Sequence, residues 1–134
     1  MKFLILITLL SSLYAKDADI ASKIISTIAV GVTHKENPKI YIYDNYTPYE
    51  LSKHKLNLTE HCQDADIVLI STLKGLPNNC FQKILFGTEY SNLQNKNVIG
   101  AFFWQKGRPN ILFSRENLKK KHIKLSTNLQ KYVE

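Results

Sequence analysis

The stretch Ala-Asp-Ile-Val-Leu-Ile-Ser at residues 65–71 decides the fold of this chain. It is a continuous apolar run that is too short for a typical helix and is rich in Ile and Val, which favour strands. Its four central residues do not alternate with polar ones, so both faces of the strand are expected to be covered. The run therefore predicts a central strand in a sheet that has a layer on each side.

Four other segments predict the remaining strands of this sheet. They are residues 39–44 (KIYIYD), 83–87 (KILFG), 98–104 (VIGAFFW) and 110–113 (NILF). Turn-forming residues from Lys106 to Pro109 join the last two strands and predict a β-hairpin. The polar stretch that leads to Gln63 predicts a loop, and residues 75–82 predict a short helix or turn.

Helical periodicity appears on both sides of these strands. After Asp17, a suitable N-cap, apolar residues recur at spacings of three to five, the period of an amphipathic helix: Ile20, Ile24, Ile25, Ile28 and Val32. Three shorter helices are predicted at residues 47–54, 114–121 and 126–133. The first is indicated by its capping residues Thr47, Pro48 and Glu50, and the second by Ser114, a suitable N-cap. We therefore expect a single-domain α/β fold, with a mixed sheet of about five strands flanked by helices, a C-terminal β-hairpin and two short terminal helices.

Residues 1–15, MKFLILITLLSSLYA, have the order of a secretory signal peptide. Lys2 precedes an apolar run from Phe3 to Leu10, and the segment ends at the small residue Ala15. The run is much shorter than the roughly 20 residues of a membrane-spanning helix. We expect cleavage after Ala15, export to the periplasm and a mature domain of residues 16–134; the alternative is a buried first helix or strand.

The chain is basic, with 18 Lys and Arg against 11 Asp and Glu and a formal net charge of +7. For an exported protein this surplus does not indicate nucleic-acid binding. It favours acidic surfaces outside the cytoplasm, such as lipid headgroups, cell-wall polymers or an acidic protein face. The alternative is that the charge serves only solubility.

Cys62 and Cys80 are the two cysteines of the chain. An oxidising compartment makes a disulfide between them the favoured interpretation, and such a bridge would contribute roughly 3 kcal/mol by constraining the unfolded chain. A zinc site with His61 and His54 is an alternative, but no C-x-x-C spacing supports it. A redox-sensitive bridge is the third interpretation, and sequence does not separate it from an inert one.

The segment from Ile99 to Val133, IGAFFWQKGRPNILFSRENLKKKHIKLSTNLQKYV, resembles the C-terminal part of the YfiR-like family of small exported proteins. That family ends in a glycine-containing apolar strand, a glycine turn, a strand that runs into a polar N-cap, a helix, and a closing helix of Leu-Ser-Ser-Lys-Leu-Leu type. The matching residues here are Gly100, Gly107, Phe113, Ser114, Leu125, Ser126, Thr127 and Leu129. The strand at residues 65–70 and the first helix followed by KIYIYD also fit the family.

The resemblance implies a non-catalytic periplasmic regulator that restrains a membrane diguanylate cyclase and so lowers cyclic-di-GMP signalling. The chain also departs from the family. Ala65-Asp66 stands where Cys-His is common, Ser114 replaces an Asn of many members, and residues 31–34 lack an aromatic-Trp-Pro ending. The family's cysteine positions therefore do not carry over to this chain, nor does any redox role of those cysteines.

The sequence contains no motif that indicates an enzyme, a metal site or a cofactor. It has no G-x-S-x-G, no H-E-x-x-H and no glycine-rich phosphate loop. The histidines lie in polar contexts (His34, His54, His61 and His122), and the pairs Asp17/Asp19 and Asp64/Asp66 do not fit a calcium loop. We expect a protein that is not an enzyme and needs no cofactor or metal.

Two clusters are predicted to bind a partner. Trp104, Lys106 and Arg108 place an aromatic residue beside two cations near the hairpin turn; the alternative is that Trp104 closes the core. The second cluster is Arg115, Lys119 and Lys120. Lys119 and Lys120 begin a basic run that continues to Lys121 and Lys124, and Arg115 lies one helical turn before it; the alternative role of this run is a solvated helix face.

Three functions remain open: a regulator of a membrane signalling enzyme, a small solute-binding protein, or an enzyme without a recognisable motif. The regulator is preferred. The expected partners are the extracytoplasmic domain of a membrane signalling protein, an anionic ligand and a second copy of the chain, with no nucleic acid.

Overall fold

The structure is a computed structural model that describes residues 19–44 and 56–134. Within these residues a six-stranded sheet has the order β2-β1-β3-β4-β5-β6. The strands are β1 (Ile40–Ile42), β2 (Leu58–Thr59), β3 (Ile67–Ile70), β4 (Ile84–Gly87), β5 (Val98–Gln105) and β6 (Arg108–Phe113). The first five are parallel, and β6 is antiparallel to β5. The α/β fold with a mixed sheet is confirmed, with six strands where about five were expected.

Helices and 3-10 turns cover the two faces of the sheet. Helix α1 includes residues 19–33, and helix α2 is Arg115–Lys120. The 3-10 helices are Cys62–Asp64, Asn78–Gln82, Tyr90–Gln94 and Thr127–Tyr132. Both predicted terminal helices are present, although the second is a 3-10 helix. The expected signal peptide and the expected helix at 47–54 lie outside the described residues.

The central strand β3 is buried on both faces, as its sequence predicted. Ile67 and Leu69 join α1, α2 and the C-terminal segment in one apolar cluster, the helix-side core. Val68 and Ile70 join Cys62 and Cys80 in a second cluster, the disulfide-side core. The period-two alternation of a strand therefore distributes its side chains between two separate cores.

Two sequence-based expectations about loops are wrong. The segment expected to be a loop before Gln63 contributes β2, whose Leu58 pairs with Ile40 in a parallel ladder. The hairpin turn is only Lys106-Gly107, because both residues have positive φ, 53° and 75°, as a tight two-residue turn requires. Arg108 and Pro109 consequently belong to β6, opposite Gln105 and Trp104.

An irregularity in β5 changes which face its later residues occupy. Leu85 pairs with Val98 and Gly87 with Ala101, so β5 carries one extra residue against β4. Ile99 and Phe102 both lie in the helix-side core although they are three positions apart. This bulge, at Ile99 and Gly100, turns Phe102 and the residues that alternate with it toward α1.

Candidate functional site

The β5–β6 hairpin extends beyond its neighbour in the sheet. Pairing with β4 ends at Ala101, whereas pairing with β6 continues to Gln105. Residues 102–111 therefore form a two-stranded ribbon whose tip carries exposed side chains. This ribbon holds three of the residues that the sequence predicted to bind a partner, Trp104, Lys106 and Arg108.

Trp104 lies on the side of the ribbon that faces the helix-side core. The ring centroids of Trp104 and buried Phe102 are 5.8 Å apart in an edge contact, and 41% of Trp104 remains exposed. Trp104 therefore packs on one core residue, Phe102, and also presents apolar surface to solvent. The two interpretations of this residue, core closure and partner contact, are compatible in this geometry.

The structure does not place Trp104 and Arg108 on the same face of the ribbon. Trp104 is opposite Pro109, and Arg108 is opposite Gln105, the next pair along the ladder. Successive pairs in a ladder project to opposite faces. Lys106 occupies the turn itself and is exposed, so the aromatic surface and the cations surround the tip without forming a single patch.

Tyr90 is an exposed aromatic residue that sequence reasoning missed. It begins the 3-10 helix Tyr90–Gln94 and packs edge-on against Phe103, with ring centroids 5.2 Å apart, while remaining 62% exposed. Because Phe103 projects to the face opposite Trp104, the ribbon has an exposed aromatic residue on each side. The surrounding polar sequence contained no signal for this contact.

The cations Arg115, Lys119 and Lys120 lie on the exposed surface of α2. The helix is anchored by Asn117, which is buried and donates through Nδ2 to the carbonyl oxygens of Asn95 and Val98. Lys120 is 3.2 Å from Glu116 in an exposed ion pair. Such a pair contributes little to stability, so these cations remain accessible to a partner.

The hairpin tip and the α2 cations are at opposite ends of β5. Asn117 of α2 contacts Val98, the first residue of β5, whereas Trp104 is six residues further along the same strand. At the rise of a β-strand this separation is about 20 Å. The structure therefore separates the two predicted binding clusters.

Lys121 follows α2 and is half-buried. Burial lowers the pKa of its ammonium group, and its Nζ donates to the carbonyl oxygen of Phe81 at 3.5 Å. It is the member of the predicted basic run that points into the protein. Lys121 therefore belongs to the packing between α2 and the 3-10 helix Asn78–Gln82.

Cys62 and Cys80 form a disulfide, with their Cα atoms 5.4 Å apart, and both residues are buried. The bridge joins two 3-10 helices that cover the disulfide-side core. Its presence confirms the predicted pairing and fits an oxidising, extracytoplasmic environment. Among the described residues, no helix is long and apolar enough to cross a membrane.

Polar side chains join the carboxyl ends of three parallel strands. The carboxylate of Asp44, after β1, accepts from the Ser71 N–H and hydroxyl at 2.8 and 2.7 Å and from the Thr72 N–H at 3.0 Å. Asn92 donates to the Ser71 carbonyl and accepts from the Thr88 N–H after β4. Asp44 lies where the strand order reverses, the usual ligand site of doubly wound sheets, but here its oxygens are occupied by the chain's own donors.

The residues that the structure describes contain no cluster of three or more His, Cys, Asp or Glu side chains that could hold a metal ion. His34 directly follows α1 with a φ of 60°, and its Nε2 lies 2.5 Å from the Lys124 carbonyl oxygen. His61 and His122 are exposed. His54, considered as a zinc ligand, lies outside the described residues.

A cleft of about 250 Å³ opens beside the disulfide. Its polar lining comes from Tyr41, His61, Gln63 and Asn79. These side chains converge from β1 and from both bridged 3-10 helices. The cleft is slightly smaller than the roughly 300 Å³ at which small-molecule pockets usually begin.

No protein-family model and no curated protein matches the chain. Its fold is similar to that of a conserved domain protein from Vibrio cholerae known from its crystal structure, with a TM-score of 0.57 at 10% sequence identity. The similarity covers 87% of this chain and 58% of that protein, so the chain spans less than two thirds of its length. The likeness concerns the fold alone.

Proposed function

We propose that the protein is an exported, non-catalytic regulator that binds the periplasmic part of a membrane signalling enzyme, such as a diguanylate cyclase. The observation that carries this proposal is the β5–β6 ribbon, which extends past β4, with exposed Trp104 on one face and exposed Tyr90 of the adjacent 3-10 helix packed on the other. Exposed aromatic residues beside cations are typical of residues that dominate protein interfaces. The disulfide and the YfiR-like resemblance support the location and the type of partner.

The proposed mechanism is docking through the ribbon. The Trp104 ring packs against Phe102 and the Tyr90 ring against Phe103, so both rings are already positioned and lose little conformational freedom on binding. Lys106 and Arg108 add positive charge around them, which favours an acidic partner surface. The α2 cations provide a separate surface, about 20 Å away by the strand rise, for an anionic ligand or a second copy of the chain.

The experiment is an affinity capture from membranes of the source bacterium, with tagged protein exported to the periplasm. Native protein should recover a membrane signalling enzyme, and Trp104→Ala should reduce the recovered amount by about tenfold. Val30→Ala is the matched control, because Val30 is an exposed apolar residue of α1 and is not part of the ribbon. Failure to recover any membrane signalling enzyme, or equal recovery by the two variants, would contradict the proposal.

A second candidate, binding of a small polar solute, is favoured by the cleft beside the disulfide. Tyr41, His61, Gln63 and Asn79 supply both donors and acceptors there. A solute that binds only the folded protein must raise its melting temperature. A metabolite panel that produces no such rise, measured on native protein and on Asn79→Ala, would exclude this candidate.

A further inference from the structure

The outer edge of β6 carries backbone groups that point away from the sheet. The N–H of Ser114 donates to the carbonyl oxygen of Ile99 at 2.8 Å, so Gly100 and Phe113 form a non-hydrogen-bonded pair. The two kinds of pair alternate along an antiparallel ladder. Ile111, two residues before Phe113, therefore directs its own N–H and C=O outward, away from β5.

One end of this edge is already paired by the chain itself. The N–H of Glu134 donates to the Phe113 carbonyl oxygen at 3.0 Å, and Val133 forms a parallel bridge with Phe113. The residues before Val133 form the 3-10 helix Thr127–Tyr132 and so leave the strand direction. Within residues 19–44 and 56–134, no backbone hydrogen bond extends this pairing to Ile111.

A groove of about 270 Å³ lies beside the unpaired part of the edge. Its apolar lining is Ile24 of α1, Ile111 of β6, and Leu129 and Tyr132 of the 3-10 helix. Lys23 and Lys131 also line it, and none of the described residues that line it is acidic. Lys23 Nζ lies 3.1 Å from the Asp19 carboxylate in an exposed ion pair. Such a pair is weak, so a carboxylate of a partner can replace that of Asp19.

Pro109 limits the length of strand that could be added. It occupies the next outward-facing position after Ile111 and has no N–H, so it can accept a hydrogen bond but not donate one. Continuous pairing is therefore restricted to a few residues around Ile111. A long strand from a second copy would lose hydrogen bonds there, whereas a short peptide segment would not.

We propose that this edge and groove bind a short extended segment of a partner protein, with an apolar side chain in the groove and carboxylates beside Lys23 and Lys131. The segment would pair with the Ile111 backbone, continuing the edge on which Val133 already pairs with Phe113. Main-chain hydrogen bonds supply affinity in such strand addition, and the groove supplies specificity. The inference rests on the proposed function, because it assumes that the protein acts by binding another protein.

The test uses a labelled acetyl-Glu-Thr-Val-Thr-Glu-amide peptide and the ¹⁵N-labelled mature protein. In an extended peptide, the two Glu side chains and the Val side chain lie on the same face. We expect the peptide to shift the Ile111 amide resonance and to slow its hydrogen exchange. The same peptide with every backbone nitrogen methylated, and its Lys-Thr-Val-Thr-Lys counterpart, should bind at least about tenfold more weakly, since each loses one class of contact.

Matched charge variants separate the groove from general electrostatics. Lys131→Glu should weaken binding of the acidic peptide by at least about fivefold, whereas Lys96→Glu, the same charge change at an exposed lysine that does not line the groove, should leave it unchanged. Equal weakening by both variants would overturn the proposal. Equal binding of the methylated and unmethylated peptides would also overturn it, because a groove that takes only an apolar chain, such as a lipid acyl chain, does not need the peptide N–H groups. Protection of the Ile111 amide without peptide, in a dimer of the chain, would overturn it as well.

The membrane capture experiment distinguishes a failure of the groove proposal from a failure of the proposed function. If Lys131→Glu recovers the membrane enzyme as native protein does while Trp104→Ala does not, the groove proposal is wrong and the regulatory function stands. If no enzyme is recovered by any form, the proposed function fails, and with it the protein-partner role of the groove.

Discussion

The buried amide of Asn117 donates through Nδ2 to the carbonyl oxygen of Val98 at 2.8 Å, which attaches α2 to the first residue of β5. The same nitrogen donates to Asn95 at 3.1 Å. One side chain therefore positions the helix that presents Arg115 and Lys119. The sequence indicated the helix, but not the residue that anchors it.

Asn117→Ala should lower the free energy of unfolding by about 2 kcal/mol, because it leaves the buried carbonyl of Val98 without its hydrogen bond. Urea denaturation of the mature protein measures this loss. Asn128→Ala, at an exposed position of the C-terminal 3-10 helix, is the control and should change stability by less than about 0.5 kcal/mol. Equal effects of the two variants would contradict the anchoring role.

Gly100→Ala should destabilise the fold by about 2 kcal/mol. A Cβ at this position would lie 2.6 Å from the carbonyl oxygen of Leu112 and 3.1 Å from the Cα of Phe113, both backbone atoms that cannot move away. At Gly31 the added Cβ meets the flexible end of the Leu129 side chain instead. Thermal unfolding should therefore show a smaller loss for Gly31→Ala, and the reverse order would contradict the close approach of β5 and β6.

The hairpin turn predicts a pair of opposite effects. Lys106→Asn should raise stability by about 0.5 kcal/mol, because Asn tolerates the positive φ of the first turn position better than Lys. Gly107→Ala should lower it by about 1 kcal/mol, since its φ of 75° is unfavourable for a residue with a Cβ. Chemical denaturation of the two variants checks both signs, and stabilisation by Gly107→Ala would refute the assigned turn.

Loss of the Cys62–Cys80 bridge should cost about 3 kcal/mol, the chain-entropy contribution of a loop with a separation of 18 residues. The measurement compares denaturation midpoints of the native protein and the Cys62→Ser/Cys80→Ser variant. Alkylation of the exported protein without reductant, followed by mass spectrometry, tests the bridge directly. Modification of both cysteines would show that it does not form.

The lowered pKa of the Asp66 carboxyl group predicts that the fold loses stability in acid. Its burial raises the pKa, but hydrogen bonds from Lys35 Nζ and the Lys39 N–H, together with the charges of both lysines, leave the pKa below its ordinary value of 3.8. A lowered folded-state pKa stabilises the fold above about pH 4 and loses this contribution as pH falls through the folded value. The Lys35 side chain is largely exposed, so the pair contributes about 1 kcal/mol or less.

Asp66→Asn should remove this contribution at neutral pH and flatten the acid limb of the stability curve below about pH 4. Denaturation midpoints measured at several pH values provide the test. Asp64→Asn is the matched control, since Asp64 is exposed in the preceding 3-10 helix. An unchanged acid limb in Asp66→Asn would contradict the lowered pKa.

Much of the fold could be predicted because local patterns carry it. The apolar run at 65–71 predicted the doubly covered strand β3, and the turn residues from Lys106 to Pro109 predicted the hairpin, although its turn is only Lys106-Gly107. Ser114 was predicted as the N-cap of α2, and its hydroxyl accepts from the Asn117 N–H. These features depend on residues close in sequence, which is why propensity and periodicity suffice.

The missed features depend on partners that are distant in sequence. β2 has only two residues and exists because Leu58 pairs with Ile40. Asn92 has a structural role because the Ser71 carbonyl reaches its amide from another strand end. Neither position has a local signal, since the contact that defines it is made 18 or more residues away.

The sequence by itself determined that the chain forms an α/β sheet with a closing hairpin, since apolar period, turn chemistry and capping are local properties. The strand order, the bulge at Ile99 and Gly100, and the separation of Trp104 from the α2 cations were decided only by the tertiary structure. The bulge moves every later residue of β5 to the opposite face. The face that Trp104 occupies, and the open edge at Ile111, therefore follow from register, which is set by pairing between strands.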